Sequence, residues 1–142
     1  MREIIFRGKR LGNGEWVEGS LHIEYGETRQ DGTKTIDYRI LGMRGECYYV
    51  DPETVGQFIG MTDKNGKKIF EGDIIRTITN GFDRDMFVTE IKFGARRGVQ
   101  GFYLANGRMM FYWGQTDLTK MDDSTVIGNI HDNPELLEAS HE

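Results

Sequence analysis

Asn-Gly occurs four times in this chain, at 13–14, 65–66, 80–81 and 106–107, and Asp31-Gly32 adds a fifth dipeptide of the same kind. No other feature constrains the fold as strongly. A two-residue hairpin turn follows the right-handed twist of its strands only when its central residues accept φ > 0, and these dipeptides do. Most of them separate runs rich in Ile, Val, Tyr, Phe and Thr, the residues that fit a pleated, half-buried surface. The 19 Gly against 2 Pro agree, because helices lose stability with that much glycine whereas a turn-rich β protein uses it at each reversal.

The pattern along the chain is specific. Glu3 to Leu11 turns at Asn13-Gly14 into Trp16 to Tyr25, where Val17, Leu21, Ile23 and Tyr25 share one face and Glu18, Ser20, His22 and Glu24 the other. Ile36, Tyr38 and Ile40 alternate with Asp37 and Arg39 in the same way, so residues 15 to 41 read as one long hairpin with one wet face. Cys47-Tyr48-Tyr49-Val50 is apolar on both faces, a short buried strand or an interface, and Asp51-Pro52-Glu53-Thr54 is a turn. Asp63 to Lys67 should reverse through a two-residue turn at Asn65-Gly66. Gly72-Asp73 then interrupts the run before Ile74 to Ile78, as a bulge or a close backbone approach would. Phe87, Thr89, Ile91 and Phe93 share a face, Gly94 to Gly98 is a loop, Phe102 to Leu104 a strand, Met109 to Trp113 an apolar run, and Val126-Ile127 a last strand. One helix start is convincing: Asn133 as N-cap, Pro134 at the first helical position, and Glu135 near the positive end.

Function is less legible. A net charge of −5 argues against a general phosphate-backbone binder. The single Cys47 excludes a disulfide framework within the chain and a four-cysteine zinc site, and reads as a small buried apolar residue. There is no run long enough for a membrane helix and no leader-like segment at Met1 to Arg7, which makes a cytoplasmic protein the simplest expectation. His22, His131 and His141 lack metal-ligand spacing. Asp63 to Gly66 starts like a calcium loop but places its glycine fourth and has no Glu at the twelfth position. Asp73 with Glu90-Ile91-Lys92 loosely matches an acid, then Glu-x-Lys set of the kind that holds Mg²⁺ in nucleases. Glu90 and Lys92 nevertheless fall on the wet side of a strand, where a charged pair needs no catalytic explanation. No catalytic, metal-binding or cofactor-binding residue is therefore assigned. Tyr48, Tyr49, Phe111, Tyr112 and Trp113 form the candidate interaction surface, since a strand in an open barrel buries only one face. Arg96 and Arg97, in the glycine-flanked loop, are the candidate anion contact, and Asn65, Gly66, Gly72 and Asp73 form a structural turn.

Three stretches resemble a known family, the YopX proteins of bacteria and their phages. They are Met1 to Arg7, Asp63-Lys64-Asn65-Gly66-Lys67-Lys68-Ile69-Phe70-Glu71-Gly72-Asp73-Ile74-Ile75, and Val126-Ile127-Gly128-Asn129-Ile130-His131-Asp132-Asn133-Pro134-Glu135-Leu136-Leu137. The resemblance implies a largely β protein with an SH3-like barrel in the C-terminal half, and a phage or prophage origin. It carries no catalytic residue across, because the family has no established activity. The expected architecture is a mainly β, hairpin-rich single YopX-like domain of residues 1–142. Hairpins to about residue 60 pack on a barrel from about residue 61, with one short C-terminal helix. The expected function is a non-enzymatic, cofactor-free protein-interaction or assembly module with a protein partner or self-association. A nucleic-acid-binding small barrel is the alternative and a metal-dependent nuclease the remote one.

Overall fold

The structure is a computed structural model and describes residues 4–78, 86–96, 99–104 and 123–139. The described residues are mostly β, antiparallel throughout, with one short helix, as the turn dipeptides imply. The chain divides into two compact units, and the division falls between Gln57 and Phe58.

In the first unit β1 (Phe6–Lys9), β2 (Trp16–Thr28), β3 (Lys34–Leu41) and β4 (Cys47–Val50) pair in sequence order. The sheet then curls back on its own start. Asp51 N–H donates to the Lys9 carbonyl at 2.9 Å, Leu11 N–H to the Tyr49 carbonyl at 3.0 Å, and Arg10 bridges Val50. Ile40 and Val50 are buried inside this curl. Asp51 caps the 3-10 turn Pro52–Thr54 by accepting from Glu53 N–H at 3.0 Å. The Thr54 hydroxyl in turn accepts the Lys9 N–H at 2.9 Å. β5 (Gly56–Thr62) starts by pairing Gly56 and Gln57 with β1.

In the second unit β5 continues into a hairpin with β6 (Lys68–Phe70), while β7 (Asp73–Ile78), β8 (Met86–Arg96), β9 (Val99–Leu104) and β10 (Ser124–Asn129) form a sheet in the order β10-β7-β8-β9. Ile59, Met61, Ile69, Ile75, Ile91 and Leu104 make its core, with Val126 packed against them. Ile74 and Ile75 are both fully buried, so β7 is covered on both faces. α1 (Glu135–Ala139) follows β10.

Four local expectations change. The central hairpin does not use a two-residue turn. Gly66 N–H donates to the Asp63 carbonyl at 3.0 Å and Asp63 N–H to the Lys67 carbonyl at 2.8 Å, closing a three-residue loop with Gly66 left-handed at φ 83°. The same pair of bonds recurs at Arg29/Thr33 with Gly32 and at Gly42/Glu46 with Gly45, so one turn device with glycine in its last position serves three hairpins. The Gly94–Gly98 loop is shorter than expected: β8 runs to Arg96 and β9 starts at Val99, with Gly94 opposite Gly101. Cys47 is exposed, because it lies on the outer side of β4 while Val50 faces inward. Asn133 gives its carbonyl to Leu136 N–H at 3.1 Å, as a capping residue does. Its side chain, however, turns back to Asn129 N–H at 3.3 Å instead of capping the helix.

Gly72 joins three segments. Its N–H donates to the Ile91 carbonyl and its carbonyl accepts from Ile130 N–H, both at 2.9 Å, at φ 90°. Beside it the buried Asp73 carboxylate accepts Phe70 N–H at 2.8 Å. A β-branched side chain at that φ is strained by about 1–3 kcal/mol. Gly72→Val is therefore expected to lower stability by about that amount in urea unfolding, and a variant with an unchanged midpoint would show that the backbone relaxes without cost.

Candidate functional site

The longest hairpin outgrows the sheet around it. β1 reaches only Trp16 to Gly19 of β2, and β4 reaches only Tyr38 to Leu41 of β3. From Glu24 to Asp37 the two strands have only each other among the described residues. The ribbon closes at Asp31, whose carboxylate accepts the Thr33 hydroxyl at 2.6 Å and the Thr33 N–H at 2.9 Å. Those bonds, the hydroxyl's first, hold the Asp31 carboxyl below its ordinary pKa.

Period-two alternation continues along this arm beyond the point where the unit has anything to cover it. Ile23 pairs with Tyr38 and Tyr25 with Ile36, all on one face. Ile23 is 36% exposed, Tyr25 69% and Ile36 47%, and Tyr38 is half-buried. The opposite face is polar and tied down: Arg39 meets Glu24 at 2.7 Å. Burial works against the Arg39 charge, and the Glu24 carboxylate, aided by Cys47 and Tyr49, outweighs it and raises the pKa. Sequence reading assigned Ile23, Tyr25 and Ile36 to a covered face. Their exposure follows from strand lengths that only the pairing register reveals.

The residues singled out from sequence fall as follows. Tyr49 is 50% exposed on the outer side of β4, opposite Arg39 in register and 5.9 Å from its guanidinium. Tyr48 is half-buried beneath the Arg10 guanidinium at 4.7 Å. Phe111, Tyr112, Trp113 and Arg97 lie outside the described residues. Arg96 ends β8 and is not in a loop. Asp73 is 1% exposed, with one carboxylate oxygen on Phe70 N–H. Glu90, opposite Ile74, is half-buried, and that burial raises its pKa against the opposing pull of Lys92. Among the described residues no three His, Cys, Asp or Glu side chains gather closely enough to hold a metal ion.

Two further arrangements bear on ligands. Trp16 carries the Arg7 guanidinium 4.7 Å from its centroid and the Lys9 ammonium at 5.8 Å, so the ring a nucleobase would stack on already faces the protein's own cations. The Gly42–Glu46 turn overhangs an open hollow lined by Val17, Glu18, Met43, Arg44, Glu46 and Tyr48.

Asp63, weighed from sequence only as the start of a calcium-like loop, is a buried acid that accepts backbone N–H groups. At 1% exposure its carboxylate accepts Asn65 N–H and Lys67 N–H, both at 2.9 Å, and Val126 N–H at 3.0 Å. Burial alone would raise its pKa, but the three donors outweigh burial and hold it below the ordinary 3.8. An acid with a depressed folded pKa contributes stability that is complete above its ordinary pKa and is lost as pH falls through the folded one. Asp63→Asn is expected to cost about 2–3 kcal/mol at neutral pH and to flatten the acid limb of a stability-against-pH curve. An unchanged acid limb would place that stabilisation elsewhere.

The YopX protein family model matches residues 5–138. This chain belongs to the YopX family. A solved structure, protein EF1440 from Enterococcus faecalis, is similar to it with a TM-score of 0.52 and 26% identity, over 96% of this chain and 99% of that one. No curated protein matches the chain. Among the described residues, no helix is long and apolar enough to cross a membrane.

Proposed function

We propose that this YopX chain is a non-enzymatic protein-interaction module that docks its partner through the β2–β3 arm. One observation carries the reading: Ile23, Tyr25 and Ile36 stand exposed together on one face of a two-stranded ribbon. Contiguous exposed apolar side chains on a folded protein mark interaction surfaces. Tyrosine combines a large contact area with a polar tip, which favours it at such surfaces. Tyr49 pairs with Arg39 and so stands on the opposite, polar face, outside this surface. The non-enzymatic part of the reading rests on the acids. Asp63 accepts three backbone N–H groups and Asp73 accepts Phe70 N–H, and among the described residues no three acids, histidines or cysteines gather as a metal-assisted reaction needs. Action in the bacterial cytoplasm, as a phage- or prophage-derived chain, fits the lone thiol of Cys47, which stays reduced there.

The test is affinity capture from a lysate of the organism of origin, with bound protein and nucleic acid both identified. A stoichiometric protein is expected. Tyr25→Ser combined with Ile36→Ser should reduce its recovery about tenfold or more, while the midpoint of thermal unfolding hardly moves, because exposed substitutions change stability by only about 0.5 kcal/mol. Recovery of nucleic acid that salt removes would replace this reading with the nucleic-acid one. Partner capture indifferent to Tyr25 and Ile36 would move the surface elsewhere.

A further inference from the structure

The outer edge of β2 leads beyond a generic docking surface. Past Gly19, opposite which β1 begins, no described strand pairs with that edge, and at Tyr25 the register with β3 shifts through a bulge that contains Gly26. Among the described residues, then, no strand pairs with β2 on that side from Ser20 to Gly26. Natural edge strands are blunted by Lys, Pro, short length or bulges. This one is long and reads Ser-Leu-His-Ile-Glu-Tyr-Gly, with neither Lys nor Pro. Its single carboxylate, Glu24, is tied sideways to Arg39 at 2.7 Å. The corresponding open edge of β3 is shorter and carries Lys34 and Asp37. A ribbon of two strands is marginal in water, whereas three or more strands with an apolar face are stable.

We infer that the edge Ser20–Gly26 pairs antiparallel with the same edge of a second copy of this chain, about a two-fold axis through Ile23, giving a four-stranded sheet β3-β2-β2-β3. The inference rests on the reading of the arm as a docking surface and names its occupant. The register follows from the residues. Ile23 is the midpoint of the open edge, so an axis there is the one that pairs all seven residues. It sets Ile23 on Ile23, Leu21 on Tyr25 and Ser20 on Gly26 of the other copy. Because paired positions have the same parity, the two apolar faces join into one. On the polar face the same axis sets His22 against Glu24 twice. An imidazole N–H then meets the carboxylate oxygen that Arg39 leaves open. An axis through Glu24 would put Glu24 on its own copy, and one through His22 would stack the imidazoles and shorten the ladder. Opposed chemistry at 22 and 24, identical apolar chemistry at 23 and an isologous edge together specify a second copy.

The test uses the full chain. Sedimentation equilibrium is expected to give a dimer. Ile23→Lys, which sets two like charges face to face on the axis, should weaken that dimer about 100-fold. In a Cys47→Ser background, Ile23→Cys should be joined into a covalent dimer by a short bis-maleimide, and Thr33→Cys at the far end of the arm should not. This second readout decides the matter if the lysine variant fails to fold. A monomer at every concentration overturns the inference. So does a dimer that survives Ile23→Lys, or one that crosslinks at Thr33 and not at Ile23. A monomer whose partner capture still depends on Tyr25 and Ile36 would overturn self-pairing while leaving the docking surface in place.

Discussion

The second unit depends on one carboxylate used as an acceptor for backbone. Asp63 lies at the end of β5 and is all but sealed from water, yet it is held in its charged form by N–H groups from Asn65, Lys67 and Val126. Two of those donors belong to the turn that starts β6 and the third belongs to β10, more than sixty residues further on. A hydrogen bond from Lys64 N–H to the Ser124 carbonyl at 3.0 Å runs beside it. An acceptor with this many aligned donors compensates its own desolvation. In doing so it fixes which strand lies next to the hairpin, a choice that apolar contacts among interchangeable isoleucines leave loosely determined. At the β6–β7 corner Asp73 accepts Phe70 N–H, and beside it Gly72, at φ 90°, ties the corner to Ile91 and Ile130 through its own backbone.

In the first unit the deciding constraint is length. β1 and β4 have four residues each, and between them the sheet closes through Lys9, Leu11, Tyr49 and Asp51. β2 has 13 residues and β3 has 8, so a stretch of each outruns the closure. The apolar alternation does not stop where the closure does. The arm consequently carries Ile23, Tyr25 and Ile36 into solvent on one face and, among the described residues, an unpaired backbone edge along β2. One geometric fact, a strand pair longer than its neighbours, thus generates both the candidate surface and the edge through which a second copy would add.

Much of this was written plainly in the chain. The turn dipeptides at 13–14, 31–32 and 65–66 placed three hairpins (Asn80-Gly81 and Asn106-Gly107 lie outside the described residues), and the alternation from Val17 to Tyr25 and from Ile36 to Ile40 placed the two faces of the longest one. Asn133-Pro134-Glu135 placed the helix. These signals are local, because a turn, a pleat and a helix start each depend on a few consecutive residues. Other features were missed or misread for the same reason. Gly45 ends a turn of the same construction as Gly32 and Gly66, but Arg44-Gly45 is not a dipeptide that advertises one. Gly94 to Arg96 looked like a loop until Gly101 was found opposite Gly94.

The sequence by itself determined the class of fold, the number and place of most reversals, and which side chains share a strand face, since each follows from backbone stereochemistry acting over a few residues. Only the tertiary structure decided which of those faces are covered. Cys47 and Tyr49 turned outward and Val50 inward because β4 lies against Arg10. Ile23 and Ile36 remained in water while Ile40, on the same face, was fully buried. Burial depends on where neighbouring strands begin and end, and no window of sequence along β2 records that β1 begins only at Phe6, opposite Gly19.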